Sequence, residues 1–452
     1  MNLYSLLRRR EESGDPIRIG VIGAGKFSTM FLSQVRLTPG MRIAGIAELD
    51  PEKARQACLR TGWPSDSLIK GDSIEEVNDA VRCGKTLVTE DARNLIQAEL
   101  DVIVEITGVP EAGTRHAWEA LEAGKHVVMV NVEADALLGP VLARKAEEVG
   151  RIYTLAYGDQ PALIAEQVDW ARAVGLEVVC AGKGTRYQPE YRYSTPETVW
   201  GHYGFTEEQV ASGDYNAKMF NSFLDGTKSA IEMCAVCNAC DLTPQEQGLQ
   251  FPPAGVDELP EILRPREEGG ILERSGTVEV VASERRDGSP VDRDLRWGVY
   301  VVFRAPTDYV KRCFAEYGMR TDSSGRYSSL YRPYHLIGLE LGISVASAVL
   351  RKEPTGVSRA FTADVAAAAK RDLRPGEVLD GEGGYTVYGR LVPARRSIKE
   401  DLLPMGLTGG ARMVRPVSKD ALLTYDDVSL DETTLAFRLR KEMEASARRN
   451  SR

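Results

Sequence analysis

The run Gly23-Ala24-Gly25-Lys26-Phe27-Ser28 lies between a β-branched stretch, residues 17–22 (IRIGVI), and an apolar stretch, TMFLSQVRL. Glycines at a strand-to-helix turn suit a dinucleotide: the first makes the turn, the second lets backbone approach the pyrophosphate, and the phosphates rest on the helix N-terminus. Ser28 replaces a third glycine and is small enough for close helix–strand packing. A carboxylate for a ribose hydroxyl is expected about 20 residues on. Glu48 ends MRIAGIAEL, 23 residues after Gly25. Thr107 and Gly108 end the run DVIVEITG and either face the cofactor at the same sheet edge or form an ordinary turn. Glu48 favours NAD by repelling a 2′-phosphate, while Lys53 and Arg55 offer to neutralise one. A second motif, Cys234-x-x-Cys237-x-x-Cys240, has iron–sulfur-like spacing. Its surroundings, IEMCAVCNACDL, are helical and apolar, so the thiols are expected to line one helix face as packing residues.

The elements that position these residues follow from periodicity. Strand-like and helical runs alternate up to residue 158, which predicts an α/β fold with a doubly wound parallel (Rossmann) sheet. LEVVCAGKG (176–184) reads as a strand leaving that sheet. A polar aromatic stretch, TRYQPEYRYSTPETVWGHYG, is expected as loop, and NAKMFNSFLDGTKSAIEMCAVCNACDL as one or two helices. Two strand-like runs within 276–304 make the middle an α+β region, closed by a long apolar helix at 332–351. Short strands with turn chemistry at RPGE and TGGA follow. The expected boundaries are an N-terminal extension at 1–16, the dinucleotide domain at 17–160, an α+β catalytic and dimerisation domain at 161–355, a small β-rich domain at 356–440 and a polar tail at 441–452.

With 452 residues the chain has room for about three domains. Its 43% hydrophobic and 27% charged content is globular. The net charge of −9 argues against nucleic acid as a partner, and no apolar run reaches the ~20 residues that span a bilayer. The opening residues do not resemble a secretory signal, and seven cysteines are sparse and odd in number, so a reducing, cytoplasmic setting is expected.

Longer motifs carry a family resemblance: IGVIGAGKFS, KGTRYQPEY, MFNSFLDGTKSAIEM, RPYHLIGLELGISVA, and the terminal LRPGEVL…LPMGLTGGARMVR…LTYDDVSL. The chain resembles homoserine-dehydrogenase-like oxidoreductases with a C-terminal SAF domain. Within them it is similar to the 1-deoxy-D-xylulose 5-phosphate reductoisomerase-like (type II) enzymes. It departs from homoserine dehydrogenases near residue 130, where VMVNVEAD supplies Asn131 and Glu133 but no lysine.

The resemblance implies an NADP(H)-dependent reductoisomerase, NADP(H) being preferred to NAD(H), which converts 1-deoxy-D-xylulose 5-phosphate to 2-C-methyl-D-erythritol 4-phosphate for isoprenoid precursors, assisted by Mg²⁺ or Mn²⁺. It also implies a homodimer. On that basis Lys183 and Lys228 are assigned to the phosphate and oxyanion, with Asp225 and Glu133 as further catalytic candidates. Asp225 is placed one helical step from Lys228, or in a salt bridge with it. Asn221, Ser222, Arg186, Tyr187 and His335 are substrate-binding candidates, with Arg332 and Tyr334 beside His335. Glu133, Asp159 and Glu232 are the metal candidates. Two alternatives stay open: a dehydrogenase of another polyol, sugar acid or hydroxy acid, and a non-catalytic dinucleotide sensor with a SAF module.

Overall fold

The β-branched runs that alternate with helices assemble as their pattern demands. The computed structural model describes residues 2–212 and 215–450, and the chain forms two compact units. The first comprises Met1–Ala162 and Leu336–Arg359. Its strands are β1 (Ile17–Ile22), β2 (Met41–Ala47), β3 (Leu68–Lys70), β4 (Thr86–Thr89), β5 (Val102–Glu105), β6 (His126–Met129) and β7 (Tyr153–Leu155). They form one parallel sheet in the order β3-β4-β2-β1-β5-β6-β7. Parallel strands are covered on both faces, and the side chains divide accordingly. Ile17, Ile19, Val21, Ile43, Val102 and Val104 enter one core, while Ile22, Ala44, Leu87, Ile103 and Val127 enter the other.

β3 and the helix Ile74–Cys83 are additions to the sequence-based picture. That helix carries a reciprocal cap between Ser73 and Glu76, a local signature readable as S-x-x-E. The segment 332–351 differs more. It is not one long helix of the middle domain. A short helix, Gly342–Ala346, runs into a π-helical turn, Ser347–Arg351, and residues 336–359 belong to the first unit. Leu341, Val345 and Ala346 share a core with Ile17 and Phe31. Gly338 explains why helix does not extend further back: it sits at φ +80, and a Cβ there would come within 2.5 Å of the Phe27 carbonyl oxygen.

The second unit comprises Leu163–His335 and Ala360–Arg452. β8 (Glu177–Thr185), β9 (Thr277–Ala282), β10 (Val299–Arg304) and β11 (Tyr327–Arg332) form a mixed sheet in the order β11-β10-β8-β9. β8 pairs parallel with β9 and antiparallel with β10. The aromatic stretch expected as loop contains a 3₁₀ turn, Pro189–Tyr193, and a short helix, Val199–Tyr203. β12 (Ala363–Ala369) and β13 (Val387–Pro393) form an antiparallel pair, and β14 (Arg412–Met413) and β15 (Val428–Ser429) a smaller one.

The β-rich segment from Ala360 on belongs to the same unit as the mixed sheet. The helix Thr227–Cys240 is bonded to it: Gly389 N–H donates to Thr227 Oγ1 at 2.8 Å, and Ala363 N–H to Asn238 Oδ1 at 3.0 Å. The polar C-terminus is a helix, Leu435–Asn450. It is anchored by the fully buried Arg440, which ion-pairs with Asp364 and with Glu444 at 2.8 Å.

Candidate functional site

In the first unit, β1 runs into Gly23 at φ +105, whose N–H donates to the Ala47 carbonyl at 2.8 Å. Gly25 then stands at the N-cap of the helix Lys26–Val35 and offers no side-chain cap. A Cβ on Gly25 would meet nothing within 4 Å, whereas one on Gly23 would lie 3.0 Å from the Ile106 carbonyl oxygen. The first glycine is thus required by the fold. The second leaves open the place where a phosphate would approach uncapped N–H groups. Ser28 is fully buried, as close helix–strand packing requires, and Lys26 is exposed with Phe27 half-buried beside it.

Glu48, just past β2, accepts a hydrogen bond from Ala24 N–H at 2.7 Å, and Lys53 Nζ lies 3.4 Å from the same oxygen. Arg55 pairs instead with Glu52 at 3.5 Å. These residues fit a dinucleotide: the loop and helix start would hold its pyrophosphate, and Glu48 the ribose.

At the end of β5 the structure adds residues that sequence reasoning missed. Glu105 is fully buried, and its Oε1 accepts from Thr107 Oγ1 at 2.6 Å and lies 3.3 Å from His116 Nδ1. Its Oε2 is buried without a hydrogen-bond partner. Asn131 Nδ2 donates to Thr107 Oγ1 at 3.3 Å and to the Val109 carbonyl at 3.0 Å, while its Oδ1 caps the next helix at Ala134 N–H. The signal was the charge closing the apolar run DVIVE, since a carboxylate there is costly unless bonded. Thr107 is therefore fixed from two sides, and Gly108 follows at φ +71 with open space around it. Glu133 is half-buried in the first turn of the helix Val132–Glu148. Asp159 is buried and accepts from Gln160 N–H at 2.8 Å.

In the second unit Lys183 is on the strand expected at 176–184. It lies within β8, and its flanking glycines serve the other face of the sheet. A Cβ on Gly182 would approach the Glu279 carbonyl oxygen to 1.8 Å, and one on Gly184 the Leu295 carbonyl oxygen to 2.0 Å. Alternation sends the Lys183 side chain the opposite way, where it ion-pairs with Glu232 of the helix Thr227–Cys240; both side chains are buried. Lys228 is half-buried on the first turn of that helix, one turn before Glu232 and so on the same face. The structure brings together Lys183, Glu232 and Lys228.

Asp225 stands elsewhere than expected. Gly226, at φ +87, separates the helix Ala217–Leu224 from Thr227–Cys240, so Asp225 and Lys228 do not share a helix. Asp225 is fully buried, pairs with Lys370 at 2.7 Å and accepts from Thr227 N–H at 2.8 Å. Burial pushes its carboxyl above the usual range, with Lys370 opposing. Asn221 is engaged by Ser194 and by the Gly383 carbonyl, and Ser222 Oγ donates to the Met219 carbonyl at 2.9 Å. Both residues brace this turn.

Arg186 pairs with Glu284 at 2.7 Å. Tyr187 is buried, stacked on Phe251 with ring centres 3.9 Å apart, and its ring lies 3.6 Å from a Cβ built on Gly226, at the start of the Lys228 helix. His335 Nδ1 donates to the Trp297 carbonyl at 2.8 Å, and Arg332 lies over Tyr334 at 5.6 Å. Cys234, Cys237 and Cys240 are buried thiols on one helix, and burial raises the Cys240 thiol to about 12.

Of the three metal candidates, Glu133 and Asp159 belong to the first unit, and Glu232, of the second, is held by Lys183. Among the described residues no group of three or more His, Cys, Asp or Glu is placed to hold a metal ion. Among them, too, no helix is long and apolar enough to cross a membrane.

Comparison with known proteins agrees with this division. Residues 20–156 match the family described as homoserine dehydrogenase, NAD binding domain, and residues 158–341 match oxidoreductase DRL, catalytic domain. No curated protein matches the chain. Among solved structures, it is similar to scyllo-inositol dehydrogenase from Lactobacillus casei with bound NAD(H) and scyllo-inositol, at 12% identity and a TM-score of 0.31, over 64% of this chain and 73% of that one. Myo-inositol dehydrogenase from the same organism, in complex with NAD(H) and myo-inositol, matches at 15% identity and a TM-score of 0.28, over 41% and 50%. An NAD binding oxidoreductase from Klebsiella pneumoniae matches at 19% identity and a TM-score of 0.27, over 40% and 47%. The chain spans about half the length of the first of these structural matches, 46% for apo scyllo-inositol dehydrogenase. The chain thus carries an NAD-binding domain of the homoserine dehydrogenase kind, followed by the catalytic domain of an oxidoreductase.

Proposed function

We propose that this protein is an NADPH-dependent reductoisomerase acting on 1-deoxy-D-xylulose 5-phosphate. The observation that carries the redox half is Gly25, open at an uncapped helix start, with Glu48 bonded to the same loop. When bound, the coenzyme supplies a hydride. Lys53, 3.4 Å from Glu48, offsets the repulsion that a 2′-phosphate would meet, which supports NADPH. Support for a phosphorylated substrate comes from the start of the helix Thr227–Cys240. Its amides carry a partial positive charge, of which Asp225 takes the first, at Thr227, and Lys228 adds a cation. Lys183 and Glu232 supply an adjacent acid/base pair for the substrate hydroxyls. The C-terminal segment 356–440 is proposed as SAF-like, and the working form as a homodimer in the cytoplasm.

One observation favours a second reading, a dehydrogenase of a polyol, sugar acid or hydroxy acid. Lys183 is engaged by Glu232 and buried, so of the two lysines assigned to a phosphate only Lys228 has substantial exposed surface. The test is oxidation of NADPH and NADH by the purified protein, with and without Mg²⁺ or Mn²⁺, on the deoxyxylulose phosphate beside non-phosphorylated ketoses and hydroxy acids. Turnover of the phosphate ester is expected, with Lys228→Ala lowering kcat/KM roughly 10–100-fold, the value of a charged hydrogen bond. Lys53→Ala is expected to weaken NADPH more than NADH. Turnover confined to non-phosphorylated substrates would refute the reductoisomerase. Tight dinucleotide binding without any turnover would make the protein a sensor.

A further inference from the structure

At the edge of the parallel sheet opposite the Gly23 turn, the strand starts line an open cleft of about 570 Å³. Arg18, Lys125, Arg151 and Lys352 face it, with Glu99 and Asp101. Four cations against two carboxylates leave a surplus of two positive charges. Asp101 eases the lysines only through its charge at a distance, because both its oxygens are bonded to Arg18, at 2.9 and 3.1 Å.

His126 lines the cleft as a buried polar side chain, 5% exposed. Its Nδ1 lies 2.9 Å from Ile152 N, a backbone group that can only donate. Nδ1 therefore holds the lone pair, and the proton of the neutral ring sits on Nε2. Nε2 in turn faces Lys352 Nζ at 3.2 Å. An imidazole N–H and an ammonium are both donors, so this contact is satisfied only by a third group that accepts from each. The titration behaviour agrees: burial, then the charges of Lys352 and Arg151, push His126 down to about 4, and burial with neighbouring cations also lowers Lys125 and Lys352.

We propose that this cleft binds a phosphate dianion, as inorganic phosphate or on a small phosphate monoester, whose oxygens accept from His126 Nε2–H, Lys352 and Arg151. A phosphate dianion brings three acceptor oxygens, and its charge matches the surplus. The cleft volume is that of a small-molecule site. It lies away from the strand ends where doubly wound sheets hold dinucleotides.

Calorimetric titration of the full-length protein at low ionic strength tests this, with inorganic phosphate in one arm and glucose 6-phosphate in the other, each repeated on Lys352→Gln and Arg151→Gln. One saturable site is expected, weakened tenfold or more by either substitution, with NADPH affinity unchanged. Tighter binding of the ester would identify an ester site, and equal or tighter binding of phosphate an inorganic phosphate site. No saturation up to about 10 mM, well beyond the affinity that a few charge-assisted bonds confer, would overturn the proposal. So would binding that both substitutions leave intact. An uncharged Lys352 accepting from Nε2–H would appear as the first of these failures.

Discussion

Lys183 and Glu232 form an ion pair with side chains only 6% and 4% exposed. Replacing one partner leaves the other charge buried and uncompensated, at a cost of about 3–5 kcal/mol. Replacing both by apolar residues of similar length removes the charge and the desolvation penalty together, and such exchanges are neutral or stabilising by roughly 1–4 kcal/mol. Lys183→Met and Glu232→Leu should therefore each lower stability to urea strongly, while the double variant returns to wild-type stability or exceeds it. Turnover then separates scaffold from chemistry. A pair that supplies acid/base groups leaves the double variant stable, able to bind dinucleotide, and without activity. A pair that only holds β8 to the helix Thr227–Cys240 gives a double variant that is both stable and active. Full turnover in the double variant would refute the assigned chemistry. Single substitutions costing under about 1 kcal/mol, as exposed pairs do, would refute the burial argument itself.

Two other outcomes follow from local geometry. Gly25→Ala meets no neighbour and keeps an ordinary φ of −78, so its melting temperature should stay near wild type while dinucleotide affinity falls tenfold or more. Gly23→Ala, forced to φ +105 against the Ile106 carbonyl, should lose of order 1–3 kcal/mol as well; equal behaviour of the two variants would contradict the separate roles given to the glycines. His126 contributes a pH dependence of known sign. Its native value of about 4 lies below the unfolded 6.5, so between these the unfolded chain binds more protons. Stability is then fully present above pH 6.5 and is lost as pH falls toward 4, by roughly 3 kcal/mol over about 2.5 pH units. Urea unfolding across that range in phosphate-free buffer should show the loss, and His126→Gln should flatten it.

The parallel sheet was legible because its information is local. β1 and β2 announce themselves as β-branched runs, and the loop at Gly23 carries its own turn chemistry. What failed was local pattern contradicted by distant contact. The apolar run 332–351 has helical composition, yet it joins the core of Ile17 and Phe31, and its Ser344 hydroxyl accepts from Tyr157 N–H at 2.7 Å. No window of twenty residues contains that partner. The bonds from Asn238 and Thr227 to the later strands are equally distant, tying residues 363 and 389 to an earlier helix.

The candidate site divides along the same line. Glycine spacing found Gly23, Gly25 and Glu48 because the ligand they suit is recognised by backbone conformation, which spacing encodes. The carboxylates were harder, because a charge acquires its role from its partner. Asp225 was matched to Lys228, three residues away, and found Lys370 instead. Lys183 was assigned to a phosphate with no hint of Glu232, and its flanking glycines answer to Glu279 and Leu295 on the other side of the sheet. Glu105 attracted no notice, although it and Asn131 fix Thr107, whose position alone was anticipated. Asp225 was paired with a neighbour in sequence, where the fold, to avoid an uncompensated buried charge, supplied Lys370 from a distant segment, as it supplied Glu232 to Lys183 from 49 residues away. A buried ionisable residue in an apolar run therefore signals an ion pair or site without indicating its other half, and the double substitution of Lys183 and Glu232 asks which of these the fold has built.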